Sequence, residues 1–251
     1  MGVLIEREGP AVVVTLDWPE RRNALGPDEA TALSAALREA AAAPDIAGLV
    51  LTGSGAFCAG GDLKGAASRS GMPEEERRQL VYSAFQGLMR ALLAVPVPTV
   101  AAMDGPAIGL GFDLALACDS RFIGPQGWCQ QGWGRVGFVP GTGGVLLLQH
   151  RAPGLLWSLL EQQPRLDAAA AARLNLAEDA SGQDARSRAV ARVAGLAAMP
   201  RASLEAYVAL SRDALRREME AHLALAVEHQ LKLLASPAVI ERVAAILGKK
   251  S

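Results

Sequence analysis

Apolar residues open the chain in two short runs, Val3 to Ile5 and Ala11 to Leu16, separated by Glu6-Arg7-Glu8-Gly9-Pro10. Gly-Pro marks a turn, so the pattern predicts an opening hairpin. From Asp28 to Ala43 the period lengthens to that of a helix, with Leu33 and Leu37 four apart and Pro44 ending the run. Gly48-Leu49-Val50-Leu51-Thr52-Gly53 is apolar and bounded by glycines, which predicts a buried parallel strand. The amphipathic stretch from Glu74 to Ala94, opened by Pro73 and closed before Val95-Pro96-Val97-Pro98, predicts a helix, and Thr99 to Met103 a further strand. Strands alternating with helices predict an α/β core with crossover connections. Beyond about residue 150 the strand signals give way to Ala-, Leu- and Arg-rich helical stretches, the last opened by Ser236-Pro237 and running to about Leu247. The chain therefore divides into a core over 1–190 and an all-helical region over 191–251, expected to dock on the core or on another subunit. Residues 179–185 are the best candidate for a flexible surface loop, and Gly65, Ser68, Ser70 and Gly71 suggest a mobile loop over 64–79.

Composition and charge remove several classes of function. With 251 residues, 51% hydrophobic and 20% charged, the chain has enough apolar material for a large core and none of the bias of a disordered protein. Twenty-five Lys plus Arg against 26 Asp plus Glu leave a formal charge of -1, so no basic field exists to hold nucleic acid or an anionic membrane. Charges enter at Glu6, before an apolar stretch of signal-peptide length, which predicts a cytoplasmic protein. The most apolar stretch, Thr99 to Cys118, is broken by Asp104, Pro106, Asp113 and glycines and reads as buried core. Cys58, Cys118 and Cys129 lack the spacing of a zinc site or a disulfide framework, so buried free thiols and no metal site are expected. His222 and His229 share a helix face without a carboxylate cluster and read as packing or surface histidines. The GxGxxG run from Gly132 to Gly137 has no clear strand before it and meets Pro140 where a dinucleotide fold needs a helix.

Two glycine-rich turns after apolar strands carry more information. Ala56 to Lys64 follows the run Leu49–Thr52, and Asp104 to Leu114 follows Thr99–Met103. Glycines at strand-to-helix junctions free backbone N–H groups and let a ligand approach, and the second turn adds a helix N-terminus. Two such turns facing one point make an oxyanion hole. Tight packing of helix on strand explains the same glycines equally well at this stage.

The runs Asn23-Ala24-Leu25, Phe57-Cys58-Ala59-Gly60-Gly61-Asp62-Leu63-Lys64, Ala101 to Ala115, Ala117-Cys118-Asp119 and Gly137 to Gly144 resemble, in order and interval, those of the crotonase (enoyl-CoA hydratase/isomerase) superfamily. Ser236 to Leu247 resembles that family's last helix, so the likeness spans nearly the whole chain. It implies an α/β fold, a crotonase-like spiral of ββα units with a C-terminal all-helical trimerisation region, and an assembly of three chains or a dimer of trimers. It also implies an acyl thioester substrate, on CoA or on a carrier-protein pantetheine, with no cofactor beyond the CoA of the substrate. By position the thioester oxygen meets the N–H groups of Gly61 and Leu110. Ala59, Asp62 and Leu63 are expected along the CoA, with Lys249 and Lys250 at its phosphates or in a frayed tail.

The departures from the family concern the reaction. Family hydratases add water with two glutamates, whose positions here carry Asp113 and Trp133. Indole exchanges no proton in a useful pH range, so the paired-carboxylate mechanism lacks one member. A dehalogenase of the superfamily shares the tryptophan, but its aspartate falls on Gly141 and its histidine on about Gln86. Asp113 remains the acid–base candidate, expected in an apolar surround that raises its pKa, with helix capping as its plainer role. Trp133 is expected to wall the acyl pocket with Gln131 and Phe138, or to be core packing. Trp128, Gln130 and Arg135 lie around the same turn, Arg135 reading best as solvated. One acid suits isomerisation of a double bond or decarboxylation. Hydration through water oriented by Asp113 and a glutamine, and a noncatalytic CoA-binding scaffold, are the alternatives.

Overall fold

The computed structural model describes residues 2–69 and 71–248. β1 (Gly2–Glu8) and β2 (Ala11–Asp17) form the antiparallel hairpin, turning at Gly9 with φ +58°. α1 (Pro27–Ala42) begins with proline at its first position, while Glu29 Oε2 accepts from the Gly26 N–H at 2.8 Å. It buries Ala30, Leu33, Ala36, Leu37 and Ala40. β3 (Gly48–Gly53) runs parallel to β2. α2 (Leu63–Ser68) then occupies part of the stretch expected to be a mobile loop, because Asp62 caps it by accepting from the Lys64 N–H. α3 (Glu74–Arg77), a five-residue π-helical segment (Arg78–Tyr82) and α4 (Ser83–Ala94) make up the helix that the periodicity predicts over 74–94.

The spiral continues with β4 (Thr99–Met103), β5 (Pro106–Ile108), α5 (Leu110–Ala117), β6 (Ser120–Ile123), β7 (Trp128–Gln130), α6 (Trp133–Val136), α7 (Gly144–Arg151) and α8 (Leu156–Gln162). β8 (Leu166–Asp167), α9 (Ala168–Arg173), β9 (Glu178–Asp179), α10 (Ala185–Leu196), α11 (Arg201–Leu234) and α12 (Pro237–Gly248) complete it. A six-stranded sheet has the order β1-β2-β3-β4-β6-β9, parallel throughout except for the hairpin. A three-stranded sheet has the order β5-β7-β8, with β8 antiparallel.

Alternation along the large sheet sends side chains to two cores. Val12, Val14, Leu49, Leu51, Ala101 and Met103 face the main core with α1, α4 and α5. Val13, Val50, Val100 and Phe122 face a second cluster with Ala185, Ala189 and Val193 of α10. Both faces are covered, as parallel strands require.

Several expectations are corrected. Strands do occur beyond residue 150, but β8 and β9 are two residues each, too short for a run of apolar residues to announce them. The division after residue 190 falls inside α10, whose residues on both sides of it pack against the large sheet. The stretch 179–185 is pinned rather than free: Asp179 lies in β9, and Asp104 accepts from the N–H groups of Ala185 and Arg186 at 2.5 and 3.1 Å. A strand does precede the GxGxxG run, but the helix within it, α6, has only four residues.

Arg212 of α11 is 1% exposed. It donates to the carbonyls of Leu93 and Val95 at 3.0 and 2.7 Å and pairs with Asp119, which also accepts from Thr99 at the head of β4. The Arg212 and Thr99 bonds overcome burial and hold the Asp119 carboxyl below its ordinary range. Cys58, Cys118 and Cys129 are buried free thiols. Among the described residues no helix is long and apolar enough to cross a membrane.

Candidate active site

The two glycine turns lie edge to edge. Cys58 and Ala107 form a parallel bridge, with the Cys58 N–H donating to Pro106 O and the Ile108 N–H to Cys58 O, each at 3.0 Å. Such contact leaves no room for side chains. A Cβ on Gly105 would lie 2.0 Å from Gly55 O, and one on Gly111 would lie 2.1 Å from Cys58 O. Gly60 has φ +104°, which glycine alone adopts readily, and a Cβ there would lie 2.9 Å from Ile108 O and 3.9 Å from Leu110 N.

Hydrogen bonding around the turns ties up some donors and leaves others free. The Leu25 N–H binds Gly60 O at 2.9 Å, and Leu25 O takes the Asp62 N–H at 2.8 Å. Ile108 donates to Cys58 O and Gly109 to Gln130 O. Between these bonds, the N–H groups of Gly61 and Leu110 have no acceptor among the described residues. The Leu110 N–H is the first of α5, where no helical acceptor exists, and its side chain is buried in the main core. A leucine is therefore compatible with a main-chain donor at this place.

Residues 18–25 brace the first turn. Asn23, fully buried and at φ +55°, accepts from the Trp18 N–H and donates to Ala56 O at 2.7 Å. The Ala59 N–H donates to Arg22 O. Asp62, expected along the CoA, is held by Arg21 Nη2 at 2.6 Å as well as capping α2. Leu63 opens α2 and is half-buried, and α12 lies against both α2 and α6. Lys249 and Lys250 lie outside the described residues.

Asp113 sits one turn into α5 and is 3% exposed. Its Oδ2 accepts from Trp133 Nε1 at 2.9 Å and from Thr142 Oγ1 at 2.7 Å. Burial pushes its pKa up to about 7, against the pull of these two hydrogen bonds. These partners are side chains of other segments, so capping a helix is not what the carboxyl does. Trp133 both packs against the main core and reaches Asp113, its indole lying 3.7 Å from where a Cβ of Gly109 would be. Pattern and resemblance give no sign of the part Thr142 plays, since a threonine between glycines in a loop carries no periodic signal.

The remaining expected pocket residues are disposed differently. Gln131 Oε1 accepts from the Gly134 N–H at 3.2 Å, and Gln130 Nε2 donates to Gln163 O at 2.6 Å, so both serve loop packing. Phe138 is half-buried and joined to Trp133 by its backbone N–H. Trp128 lies under Arg165 at 4.6 Å, and Arg135 is exposed. Gln86 is buried and donates to the carbonyls of Gly141 and Leu223. A Cβ on Gly141 would lie 2.4 Å from Gln230 Oε1, so a side chain there would require the Gln230 amide to move.

Two N–H groups without acceptors among the described residues, one of them opening the helix that carries a buried carboxyl, are an arrangement that can stabilise charge on a carbonyl oxygen. The profile of the enoyl-CoA hydratase/isomerase family matches residues 6–241, and the chain belongs to that family. A Mycobacterium tuberculosis protein named "probable enoyl-CoA hydratase" is 35% identical over 201 residues, 79% of this chain and 77% of that one. Another so named, from Rhodobacter capsulatus, is 34% identical over 250 residues, 97% of this chain and 93% of that one. The crystal structure of enoyl-CoA hydratase from Bacillus halodurans superposes with a TM-score of 0.90 at 22% identity, covering 98% of this chain and all of that one, a likeness of fold. The crotonase-like spiral with its helical C-terminal region is thus the fold that the motifs imply.

Proposed function

We propose that the protein acts on an acyl thioester through an enolate, with Asp113 as the single proton carrier, in double-bond isomerisation or decarboxylation. The observation that carries this is the buried Asp113 carboxyl, near pKa 7, hydrogen-bonded by an indole where hydratases of the family place their second glutamate. The thioester oxygen accepts from the N–H groups of Gly61 and Leu110, which bind the enolate more tightly than the neutral carbonyl. In isomerisation ionised Asp113 takes the α-proton of a β,γ-enoyl thioester. The C–H electrons pass into the enolate, and the proton returns at the γ-carbon as the double bond moves to α,β. In decarboxylation the bond to a β-carboxylate breaks, carbon dioxide leaves, and neutral Asp113 protonates the α-carbon of the enolate. A carboxyl near pKa 7 supplies both protonation states at neutral pH.

CoA enters as part of the substrate, or a carrier-protein pantetheine presents the same thioester, and the chemistry balances without a redox group or a metal. A homotrimer or dimer of trimers in the cytoplasm belongs to this reading. Tyr207 and Leu210 on α11 are 66% and 77% exposed, apolar area that another subunit would cover.

The names of the relatives favour a second reading, hydration with water oriented by Asp113. Product analysis by chromatographic separation with mass spectrometry on β,γ-enoyl, α,β-enoyl and malonyl-type thioesters of CoA separates the two. The isomerised enoyl product, resolved by its retention, or loss of about 44 mass units as carbon dioxide is the expected result. A gain of one water as the main product establishes hydration instead.

A further inference from the structure

Both donors to Asp113 act on one oxygen. Trp133 Nε1 and Thr142 Oγ1 reach Oδ2, while Oδ1 has no donor among the described residues. The carboxyl occupies the space that a side chain on Gly144 would take, where a Cβ would sit 2.1 Å from Oδ1, 2.5 Å from Cγ and 2.7 Å from Oδ2. Any side chain at that position would expel the carboxyl from its place. Trp133 and Thr142 lie 20 and 29 residues along the chain from Asp113, so the arrangement is a product of the fold and not of local sequence.

We propose that Trp133, Thr142 and Gly144 are positioning residues that seat Asp113 with Oδ2 held and Oδ1 as the atom that takes and returns the proton. This deepens the acid–base role of Asp113 and rests on it. A carboxylate oxygen has two lone pairs, and two donors at hydrogen-bonding distance occupy both on Oδ2. A proton placed on Oδ2 would displace one of them, whereas a proton on Oδ1 leaves both bonds intact. The seat therefore keeps its geometry in both protonation states, and no dipole must reorganise when the proton moves. Trp133 is then a replacement with a function, an N–H donor standing where a second carboxyl would repel the first.

Groups around α5 leave the seat to act on Asp113 without a competing charge. Cys58, beside it in the first turn, is a thiol that burial pushes up to about 12. Arg90 of α4 is paired with Glu220, and His150 of α7 with Glu218. Arg151 of α7 and Arg121 of β6 are spent on carbonyls at the far end of α5, among them that of Cys118.

The test reads the carboxyl directly. With 13C-labelled aspartate in the intact protein, the Asp113 resonance is assigned by its loss in Asp113→Asn and titrated in Trp133→Phe, Thr142→Val and Thr142→Ser. Phenylalanine keeps the ring without its N–H, and valine keeps the shape of threonine without its hydroxyl. Trp133→Phe and Thr142→Val each remove a hydrogen bond to the charged form, so the midpoint moves up by about one pH unit in each, and Thr142→Ser restores the native midpoint. The pH limb of α-proton exchange on a CoA thioester moves the same way. A midpoint unchanged in both Trp133→Phe and Thr142→Val overturns the seat even where exchange depends on Asp113. A midpoint that moves while Asp113→Asn exchanges at the native rate leaves the hydrogen bonds standing and overturns the proton-carrying part, together with the acid–base reading beneath it.

Discussion

The side of the site proposed to hold the thioester oxygen is main chain packed on main chain, with glycines at 105 and 111 where another backbone stands about 2 Å from any Cβ. The side proposed to handle the proton is three side chains, Asp113, Trp133 and Thr142, brought together from separate segments. The first side depends on residues that have no side chain and whose donors any residue supplies. The second depends on particular atoms and tolerates changes that keep the shape. Substitution should therefore act on the two sides in different ways: on the turns through structure, and on Asp113 through protonation.

The largest effect is expected at Gly111. Cys58 O, already bound to the Ile108 N–H, cannot retreat from a Cβ 2.1 Å away without parting the turns. Gly111→Ala should lower α-proton exchange by at least about 100-fold, the range for loss of one oxyanion donor. A thermal melt should show destabilisation in the same variant. Alanine at 111 with native exchange would mean that the contact between the turns does not set their donors.

A large loss of stability is expected at Arg212, which anchors the strand leading to the second turn. Arg212→Leu strands the Asp119 carboxylate and several carbonyls, at a cost of about 3–5 kcal/mol by denaturant unfolding. The folded pKa of Asp119 is lowered, so its contribution is present above the ordinary carboxylate pKa and is lost as pH falls through the depressed value. The penalty of Arg212→Leu should accordingly shrink in acid.

Asp113 should behave in the opposite sense. Its folded pKa, about 7, lies above the ordinary 3.8, so the native state holds an extra proton between those values and stability falls as pH rises through that window. Asp113→Asn removes the charge and keeps an acceptor for Trp133 and Thr142. Unfolding at pH 8 should show this variant more stable than the native protein by up to about 4 kcal/mol, with the difference vanishing near pH 4. Equal stability of the two at pH 8 would show that the carboxyl is not held in an apolar site.

Much of the side proposed to hold the oxygen is legible in the sequence because strands such as Leu49–Thr52 and Thr99–Met103 are continuous apolar runs, and the glycines after them mark strand-to-helix turns, although tight packing alone accounts for them equally well. The proton-handling side is half legible. Asp113 and Trp133 stand out only against the resemblance, since an aspartate in an apolar helix also reads as a cap. Thr142 and Gly144 are silent, because their importance lies in what the loop before α7 approaches. Gln131 shows the reverse failure: a glutamine beside the altered turn suggests the pocket, but its Oε1 caps α6. The π-helical segment at Arg78–Tyr82 and the two-residue strands β8 and β9 leave too short a pattern to be seen in sequence.

The proposed role of Asp113, a single carboxyl that moves the proton of a thioester enolate, is tested by exchange of the α-proton with deuterated water. Native protein and Asp113→Asn would be compared on the same CoA thioesters by mass spectrometry. With the native protein the thioester should take up one deuterium at its α-carbon, following the ionisation of a group near pH 7, and with the variant it should take up none. Undiminished exchange in Asp113→Asn, or none in the native protein on any thioester it binds, would contradict that role.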